Sequence, residues 1–163
     1  MVILKNILVA TDFSEPSTVA MAYGRDMARS YGATLHVLHV VEDMRLRFGP
    51  EVGFASTDMQ NDFERMAHRD LEAVVTEDDR KTLKVVPVVE THVNVAHGVT
   101  DYAAANAIDL IIVGTHGRGA IKKFLMGSVA ERVVRTAPCP VLAVREHERE
   151  FIAPDALVAV AVA

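Results

Sequence analysis

A glycine-bracketed loop followed by a hydroxyl is the segment of this sequence best suited to bind a ligand. Residues 114–128 read Gly-Thr-His-Gly-Arg-Gly-Ala-Ile-Lys-Lys-Phe-Leu-Met-Gly-Ser. The apolar run 109–113 before them is typical of a buried strand, and the run 129–135 after them is typical of a helix. Glycines let backbone N–H groups approach an anion without a Cβ in the way, and a helix N-terminus favours negative charge. This order of residue types predicts a phosphate-binding loop.

The loop belongs to a repeating pattern of apolar runs and helical segments. Five runs rich in Val, Ile and Leu cover residues 3–10, 34–41, 83–89, 110–113 and 141–144. Runs that are apolar on both faces and alternate with helices are typical of a parallel sheet covered on both sides. The sequence therefore predicts a single-domain, open α/β sandwich of the Rossmann-like class. In such sheets, ligands bind outside the carboxyl ends of the strands.

That rule selects residues at the ends of three predicted strands. The first strand ends at Ala10, Thr11 and Asp12, the second at Val40, and the fourth at Val113 just before the glycine loop. Because the carboxyl ends of parallel strands meet at one edge, these residues predict a cleft with a carboxylate on one side and an apolar wall on another. The glycine loop supplies a phosphate cradle on the third side, and this combination suits a nucleotide.

Three of the four predicted helices have recognisable ends. The first begins at Ser14, whose hydroxyl is expected to accept a hydrogen bond from the backbone N–H of Ser17, and it ends at Gly32. The third is capped by Asn94 and runs through Ala107, and the fourth begins at Gly127 and Ser128. The expected core face of the first helix is Ala20, Tyr23, Gly24, Met27, Ala28 and Tyr31.

The second helix is predicted over residues 58–83. One apolar stripe recurs at helical spacing, while acids and bases fill the opposite side. The stripe predicts burial in the core of Phe63, Met66, Ala67, Leu71, Val74 and Val75.

Composition and charge bound the classes of partner. The chain has 163 residues, of which half are hydrophobic, and a formal net charge of −5. A mildly acidic chain lacks the basic surface that nucleic acids and anionic membranes require. Its one cysteine, Cys139, cannot form an internal disulfide, and no signal-like segment precedes the first strand, so a cytoplasmic protein is expected. The apolar stretch 156–163 is too short to span a bilayer.

The side chains that could carry metal or acid–base chemistry predict no such site. His36 and His39 lie three positions apart on a strand and therefore point to opposite faces, which disfavours chelation of one ion. His116, inside the glycine loop, is a candidate acid or base, but a packing or solvent-facing role is more common. Arg118, in the same loop, could screen phosphate charge. We predict no catalytic and no metal-ligating residue.

The spacing Gly114-x2-Gly117-x9-Gly127-Ser128 resembles the nucleotide-binding signature of the universal stress protein family. The resemblance covers residues 1 to about 145. It includes Val-Ala-Thr-Asp-Phe-Ser at the end of the first strand, His-Val-Val at the end of the second, and Pro-Cys-Pro-Val-Leu-Ala-Val leading into the last. One Gly-x-x-Gly alone is weak evidence, whereas three glycines, a serine and the aspartate in matching contexts are specific.

The resemblance implies strand order 3-2-1-4-5, a dimer, and ATP held at the strand ends, with Mg²⁺ as a companion ion. Asp12 and Val40 would contact the adenine, and the backbone at Gly114 and Gly117 would line the ribose and phosphates. The first turn of the last helix would hold the phosphates. Together with the strand-end residues and Arg118, the full set of predicted nucleotide-binding residues is Ala10, Thr11, Asp12, Val40, Val113, Gly114, Gly117, Arg118, Gly127, Ser128 and Val129.

The chain departs from the family pattern in two places. Many members have Gly-Asp-Pro-Ala at the start of the third helix, where residues 93–96 read Val-Asn-Val-Ala, so a tight glycine turn is absent from the rim. The second and milder departure is Ala10, where some nucleotide-binding relatives have proline. Residues 146–163 lie outside the resemblance altogether and form a predicted tail after a domain at 1–145. The alternation of Val158, Val160 and Val162 with alanines fits either an added strand or a frayed end.

Three functions of different classes follow from these residues. The first is an ATP-binding regulatory module that works as a cytoplasmic homodimer, joined through the last strand, and signals to a protein partner. The second is a slow ATPase or an autophosphorylating enzyme that uses the same site. The third is a receiver-type switch. It is disfavoured because Thr11-Asp12, Glu90-Thr91 and Arg145 do not supply the acidic cluster, acceptor aspartate and lysine that it needs.

Overall fold

A five-stranded parallel sheet forms the centre of the protein. The computed structural model describes residues 1–43, 45, 53–115 and 126–145. Within 53–115, side chains are described from residue 57 onward. The strands are β1 (Asn6–Ala10), β2 (Thr34–Glu42), β3 (Lys84–His92), β4 (Leu110–Gly114) and β5 (Val141–Val144). All pairings are parallel, and the spatial order is β3-β2-β1-β4-β5. The predicted fold class and strand order are confirmed.

Helices cover both faces of this sheet. They are α1 (Glu15–Tyr31), α2 (Gly53–Val74), α3 (Glu77–Thr82), α4 (Val95–Ala105) and α5 (Ser128–Thr136). On one face, α1 and α2 pack over Ile7, Val9, Leu35, Val37 and Ile112. On the other, α4 and α5 pack over Leu8, Leu38, Val40, Ile111 and Val113. Because successive side chains enter opposite faces and both faces are covered, the sequences of β1, β4 and β5 are apolar at nearly every position.

Two strand boundaries lie three residues from those expected, and the others agree to within one residue. The first strand begins at Asn6 rather than at residue 3, and Ile3 is exposed. Asp109 accepts hydrogen bonds from the backbone N–H groups of Lys5 and Asn6, and these bonds hold the pKa of its carboxyl below the usual range. β3 continues to His92, three residues beyond the predicted end, because it stays paired with β2 as far as Glu42.

The single helix predicted over 58–83 is wrong, since α2 ends at Val74 and α3 begins at Glu77. Thr76 separates them with a capping box. Its hydroxyl accepts a bond from the backbone N–H of Asp79 (3.1 Å), and its own N–H donates to the Asp79 carboxylate (3.0 Å). Arg25 of α1 also bonds this carboxylate, 2.7 Å from Nε to Oδ1. Burial opposes ionisation, but these bonds outweigh it and keep the pKa of Asp79 below its usual value.

The apolar stripe of α2 is only partly buried. Ala67, Leu71 and Val75 lie in the core as predicted, but Phe63 is 40% exposed and Met66 is 49% exposed. The helix instead turns Gln60 towards the sheet, where this side chain is buried. The reason is polar: the carboxylate of Glu64 accepts bonds from Gln60 and, at 2.7 Å, from the Thr91 hydroxyl of β3. Both bonds lower the pKa of Glu64.

The ends of α1 are predicted correctly, but two details of this helix are wrong. The Ser14 hydroxyl does not accept from Ser17; it donates to the stronger carboxylate acceptor of Asp12, while the Ser17 hydroxyl donates to the Ser14 carbonyl. Gly32 ends the helix in the left-handed region, at φ 63°. Tyr31, predicted to face the core, occupies the last helical position and is exposed, whereas Met21 is buried.

The remaining predicted helix ends agree closely with the structure. The Asn94 side chain accepts a bond from the N–H of His97 and so caps α4, and Gly127 is the N-cap residue of α5. α4 ends at Ala105, two residues before the expected end. None of the helices within the described parts of the chain is long and apolar enough to cross a membrane.

Candidate nucleotide-binding site

Three of the predicted site residues form one apolar wall at the carboxyl ends of neighbouring strands. Ala10 of β1 lies beside Val113 of β4 and beside Leu38 of β2, and Val40 lies two residues beyond Leu38. Ala10, Val40 and Val113 all belong to the cluster under α4 and α5, in which both valines are buried. The side chains of three strands therefore meet on one face, at the edge where open sheets bind ligands.

Two further apolar residues, which the sequence reasoning missed, extend this wall. Val95, at the first position of α4, and Met126, just before Gly127, are partly buried against the same cluster. Gly98 allows the close approach of α4, because a Cβ there would lie 2.8 Å from Cγ1 of Val40. The available signal was position: Val95 follows a helix cap at the rim, and Met126 precedes the last glycine of the signature.

The backbone of Val40 points towards the cleft. The backbone N–H of Thr34 donates to the carbonyl oxygen of Lys5 at 2.8 Å, and the backbone N–H of Thr11 donates to the carbonyl oxygen of Leu38 at 2.9 Å. The even-numbered residues of β2 therefore present their backbone N–H and C=O groups towards β1. The β1–β2 pairing stops at Ala10 and Leu38. Because N–H and C=O groups alternate sides along a strand, those of Val40 project past the end of β1. They offer a neighbouring donor and acceptor beside the apolar wall.

Asp12 lies in the turn that joins β1 to α1, beside this backbone edge. One carboxylate oxygen accepts bonds from the backbone N–H and the hydroxyl of Ser14. Thr11, another predicted site residue, has its buried hydroxyl within 3.1 Å of the Ser17 hydroxyl and 3.0 Å of the Phe13 N–H. The Thr11 side chain therefore serves the turn, and the turn fixes where the Asp12 carboxylate lies.

A histidine on the other face of β2 supports the same turn. Nδ1 of His39 lies 2.8 Å from the carbonyl oxygen of Thr11, so this nitrogen donates. The ring stacks on Phe13, with centroids 4.4 Å apart, and Phe13 itself has the left-handed φ of 63°. His36 points to the opposite face, where its Nδ1 lies 2.8 Å from the Tyr102 hydroxyl oxygen. Burial lowers the pKa of the His36 imidazole. The two imidazoles are therefore separated by the sheet, as the spacing predicts.

The two ends of the glycine loop are joined directly. The N–H of Gly127 donates to the carbonyl of Thr115 at 2.6 Å, and Thr115 in turn donates to Val144 of β5. Gly114 packs against the first turn of α1: a Cβ there would lie 2.9 Å from the carbonyl carbon of Pro16. Gly114 therefore has a packing role whatever it binds. Gly117, Arg118 and His116 lie outside the described residues.

The N-terminus of α5 faces the same edge of the sheet. Gly127 caps this nine-residue helix with no side-chain hydrogen bond, and Glu131 donates the first helical bond to its carbonyl. Ser128 and Val129 follow in the first turn and are both exposed. N–H groups in the first turn of a helix have no intrahelical acceptor, and the helix dipole adds a partial positive charge. This end of α5 can therefore stabilise an anionic group.

Among the described residues, no group of three His, Cys, Asp or Glu side chains is placed to hold a metal ion. The arrangement is an apolar wall, a backbone donor–acceptor pair, a positioned carboxylate and a helix N-terminus along one edge. These elements can bind a molecule that is flat and apolar at one end and anionic at the other.

Residues 4–145 match the model of the universal stress protein family. The chain belongs to the universal stress protein family. A curated relative, universal stress protein A homolog 1 of Coxiella burnetii, is 35% identical over 144 residues, which cover 86% of this chain and 95% of the relative.

Solved universal stress proteins have the same architecture. The structure of the Methanocaldococcus jannaschii protein MJ0577 superposes with a TM-score of 0.75 at 25% identity, and the match covers 91% of this chain and all of that one. A universal stress protein from Archaeoglobus fulgidus, solved in complex with dAMP, has a TM-score of 0.60 at 18% identity, with 88% of this chain and 99% of that chain covered. At that identity, the second likeness shows the fold alone.

Proposed function

We propose that this universal stress protein binds ATP at the carboxyl edge of its sheet and acts as a nucleotide-dependent regulatory module. The observation that carries the proposal is the meeting of Ala10, Val40 and Val113 in one apolar wall, at the same edge as the helix N-terminus capped by Gly127. A protein of this fold has been solved with an adenine nucleotide, dAMP, and this supports the choice of base.

The adenine would lie against the apolar wall. Its faces are apolar and its edge carries a donor beside an acceptor, which is the complement of the N–H and C=O groups that Val40 presents beyond β1. The carboxylate of Asp12 is held nearby by Ser14, and a carboxylate can accept a hydrogen bond from a donor on the base. A guanine, whose Watson–Crick edge has a different order of donors and acceptors, would match this backbone edge less well.

The phosphates would lie at the first turn of α5. Ser128 can donate through both its N–H and its hydroxyl, and the N–H of Val129 is adjacent. Gly117 and Arg118 would complete this cradle, and Mg²⁺ would accompany the phosphates.

Binding rather than turnover is proposed because, in the part of the chain that the structure describes, the acid–base groups at this edge already hold the turn between β1 and α1. One oxygen of Asp12 accepts two bonds from Ser14, and Nδ1 of His39 donates to Thr11. We further propose a cytoplasmic homodimer joined through β5, which is an edge strand of the described sheet, and a protein partner that recognises the nucleotide-bound state.

Calorimetry with a matched pair of variants tests the proposed base site. Ala10→Phe fills the wall where the adenine would lie, while Ala104→Phe adds the same ring on the exposed side of α4. We expect wild type and Ala104→Phe to bind ATP, GTP to bind more weakly, and Ala10→Phe to lose at least about tenfold in affinity, or roughly 1.4 kcal/mol. Equal ATP affinity in all three proteins would overturn the proposed location.

A further inference from the structure

The exposed part of the α2 stripe borders the apolar wall of the proposed nucleotide site, since Phe63 and Met66 line one cavity with Val40. Met59, Phe63 and Met66 recur at positions i, i+4 and i+7 and are 37%, 40% and 49% exposed. This spacing places them side by side on one strip of the helix. The amphipathic pattern of α2 predicts burial for the stripe, yet the described part of the single chain leaves these three large side chains in contact with solvent.

The strip borders a cavity between α2 and the end of β2. The cavity measures about 370 Å³, and its lining includes Phe13, Val40, Phe63, Met66 and Val95. Two carboxylates, Glu42 and Asp70, also line it. Exposed apolar residues beside an apolar cavity form a surface that can receive the side chains of another molecule.

The charges beside the strip identify which molecule fits. Asp58 and Asp62 lie in the first half of α2, and Arg65 and Arg69 in the second, all exposed. At 100° per residue they flank the apolar strip on its solvent side. If a second α2 lies antiparallel and the pairing is centred between positions 63 and 64, Asp58 comes opposite Arg69 of the second copy and Asp62 opposite its Arg65. The same register brings the two Phe63 side chains together.

This is the self-complementarity that a two-fold interface requires, because the same patch must match itself in reverse. In the single chain, Arg65 pairs with Asp62 and Arg69 with Asp70, 3.2 Å apart, and these side chains are largely exposed. Exposed ion pairs contribute little and can exchange for pairs between copies.

We propose that the surface formed by Met59, Phe63 and Met66, with its flanking charges, binds a second copy of this chain through antiparallel pairing of α2. It is separate from the β5 edge, since α2 packs on β2 and β3 at the other side of the sheet. If the β5 pairing also forms, the two contacts together produce assemblies larger than a dimer.

Sedimentation of the full chain over a concentration series tests the contact. Phe63→Glu places a carboxylate at the centre of the strip, and Val134→Glu makes the same change at an exposed valine of α5. We expect Phe63→Glu to raise the dissociation constant of self-association at least about tenfold, because buried aromatic anchors dominate interfaces. Val134→Glu should sediment as wild type does. Indistinguishable sedimentation of all three proteins would overturn the proposal.

Charge reversal tests the register itself. In the variant Asp58→Lys/Asp62→Lys the four flanking positions are all basic, and in Arg65→Glu/Arg69→Glu they are all acidic, so each variant alone should lose the α2 contact. An equimolar mixture should regain it, because every pair between the two variants is then oppositely charged. Circular dichroism and urea unfolding check that both variants fold. A mixture that associates no better than either variant alone contradicts the antiparallel pairing.

Discussion

Asp79 shows how one buried carboxylate organises two helices. It is almost fully buried, accepts from both Nε and Nη2 of Arg25, and completes the capping box of α3. Asp78, the neighbouring residue, is exposed and pairs with Arg29 at 3.3 Å. Because a buried charge needs its partners and an exposed one does not, the two aspartates should differ greatly in their contribution to stability.

We predict that Asp79→Ala lowers the free energy of unfolding by about 3 kcal/mol, since it leaves Arg25 without its buried partner and removes the cap of α3. Asp78→Ala should change it by less than about 0.5 kcal/mol. Urea denaturation measures both. Comparable small losses in the two variants would mean that the Arg25 contact contributes little.

The lowered pKa of Asp79 predicts that the free energy of unfolding depends on pH. The bonds from Arg25 and Thr76 lower the pKa of Asp79 in the folded state, so its stabilisation is fully present above the unfolded value of about 4. It is lost as the pH falls through the lowered folded-state pKa. The free energy of unfolding should therefore fall more steeply below about pH 4 in wild type than in Asp79→Ala. Parallel pH profiles would contradict this assignment.

Gly114, at the end of β4, combines a packing role with its place in the nucleotide-binding signature. In the family resemblance it belongs to the nucleotide-binding signature, but its contact with the Pro16 backbone is a requirement of packing α1 against β4. A substitution that impairs nucleotide binding at this position would therefore not by itself identify a ligand contact. The stability of the nucleotide-free protein has to be measured first.

Gly114→Ala should destabilise the nucleotide-free protein by about 1–3 kcal/mol, because the added Cβ meets backbone atoms that cannot move aside without shifting α1. Chemical denaturation in the absence of nucleotide gives the value. An unchanged free energy of unfolding would show that α1 does not approach β4 as closely as described.

At the scale of elements, local signals predicted well where one interaction decides the outcome. The Asn94 cap, the reversal at Gly32 and the start of α5 depend on neighbouring residues alone. The break between α2 and α3 was also predictable, since Thr76-x-x-Asp79 is a capping-box sequence. The exposure of Phe63 and Met66 could not be predicted from local sequence, because it follows from the contact of Glu64 with Thr91 of β3, 27 residues away.

At the scale of the whole molecule, the parallel sheet explains how residues that are far apart in sequence can contribute to one site. A parallel sheet brings the ends of β1, β2 and β4 to the same edge, so Asp12, Val40 and Gly114 are neighbours although they are far apart in sequence. Alternating apolar runs predict such a sheet but not its strand order, for which the family resemblance was needed. Met126 and Val95 were missed because rim contacts depend on how helices enter and leave the sheet.

The binding of ATP at this edge is tested most directly by amide NMR spectra of the nucleotide-free protein during a titration with ATP and Mg²⁺. We expect saturable shifts at Ala10, Asp12 and Val40 and in the first turn of α5. We expect little change at the opposite edge, where Asn6 and Thr34 begin β1 and β2. No shifts at millimolar ATP, or shifts centred on the amino ends of the strands, would contradict the proposed site.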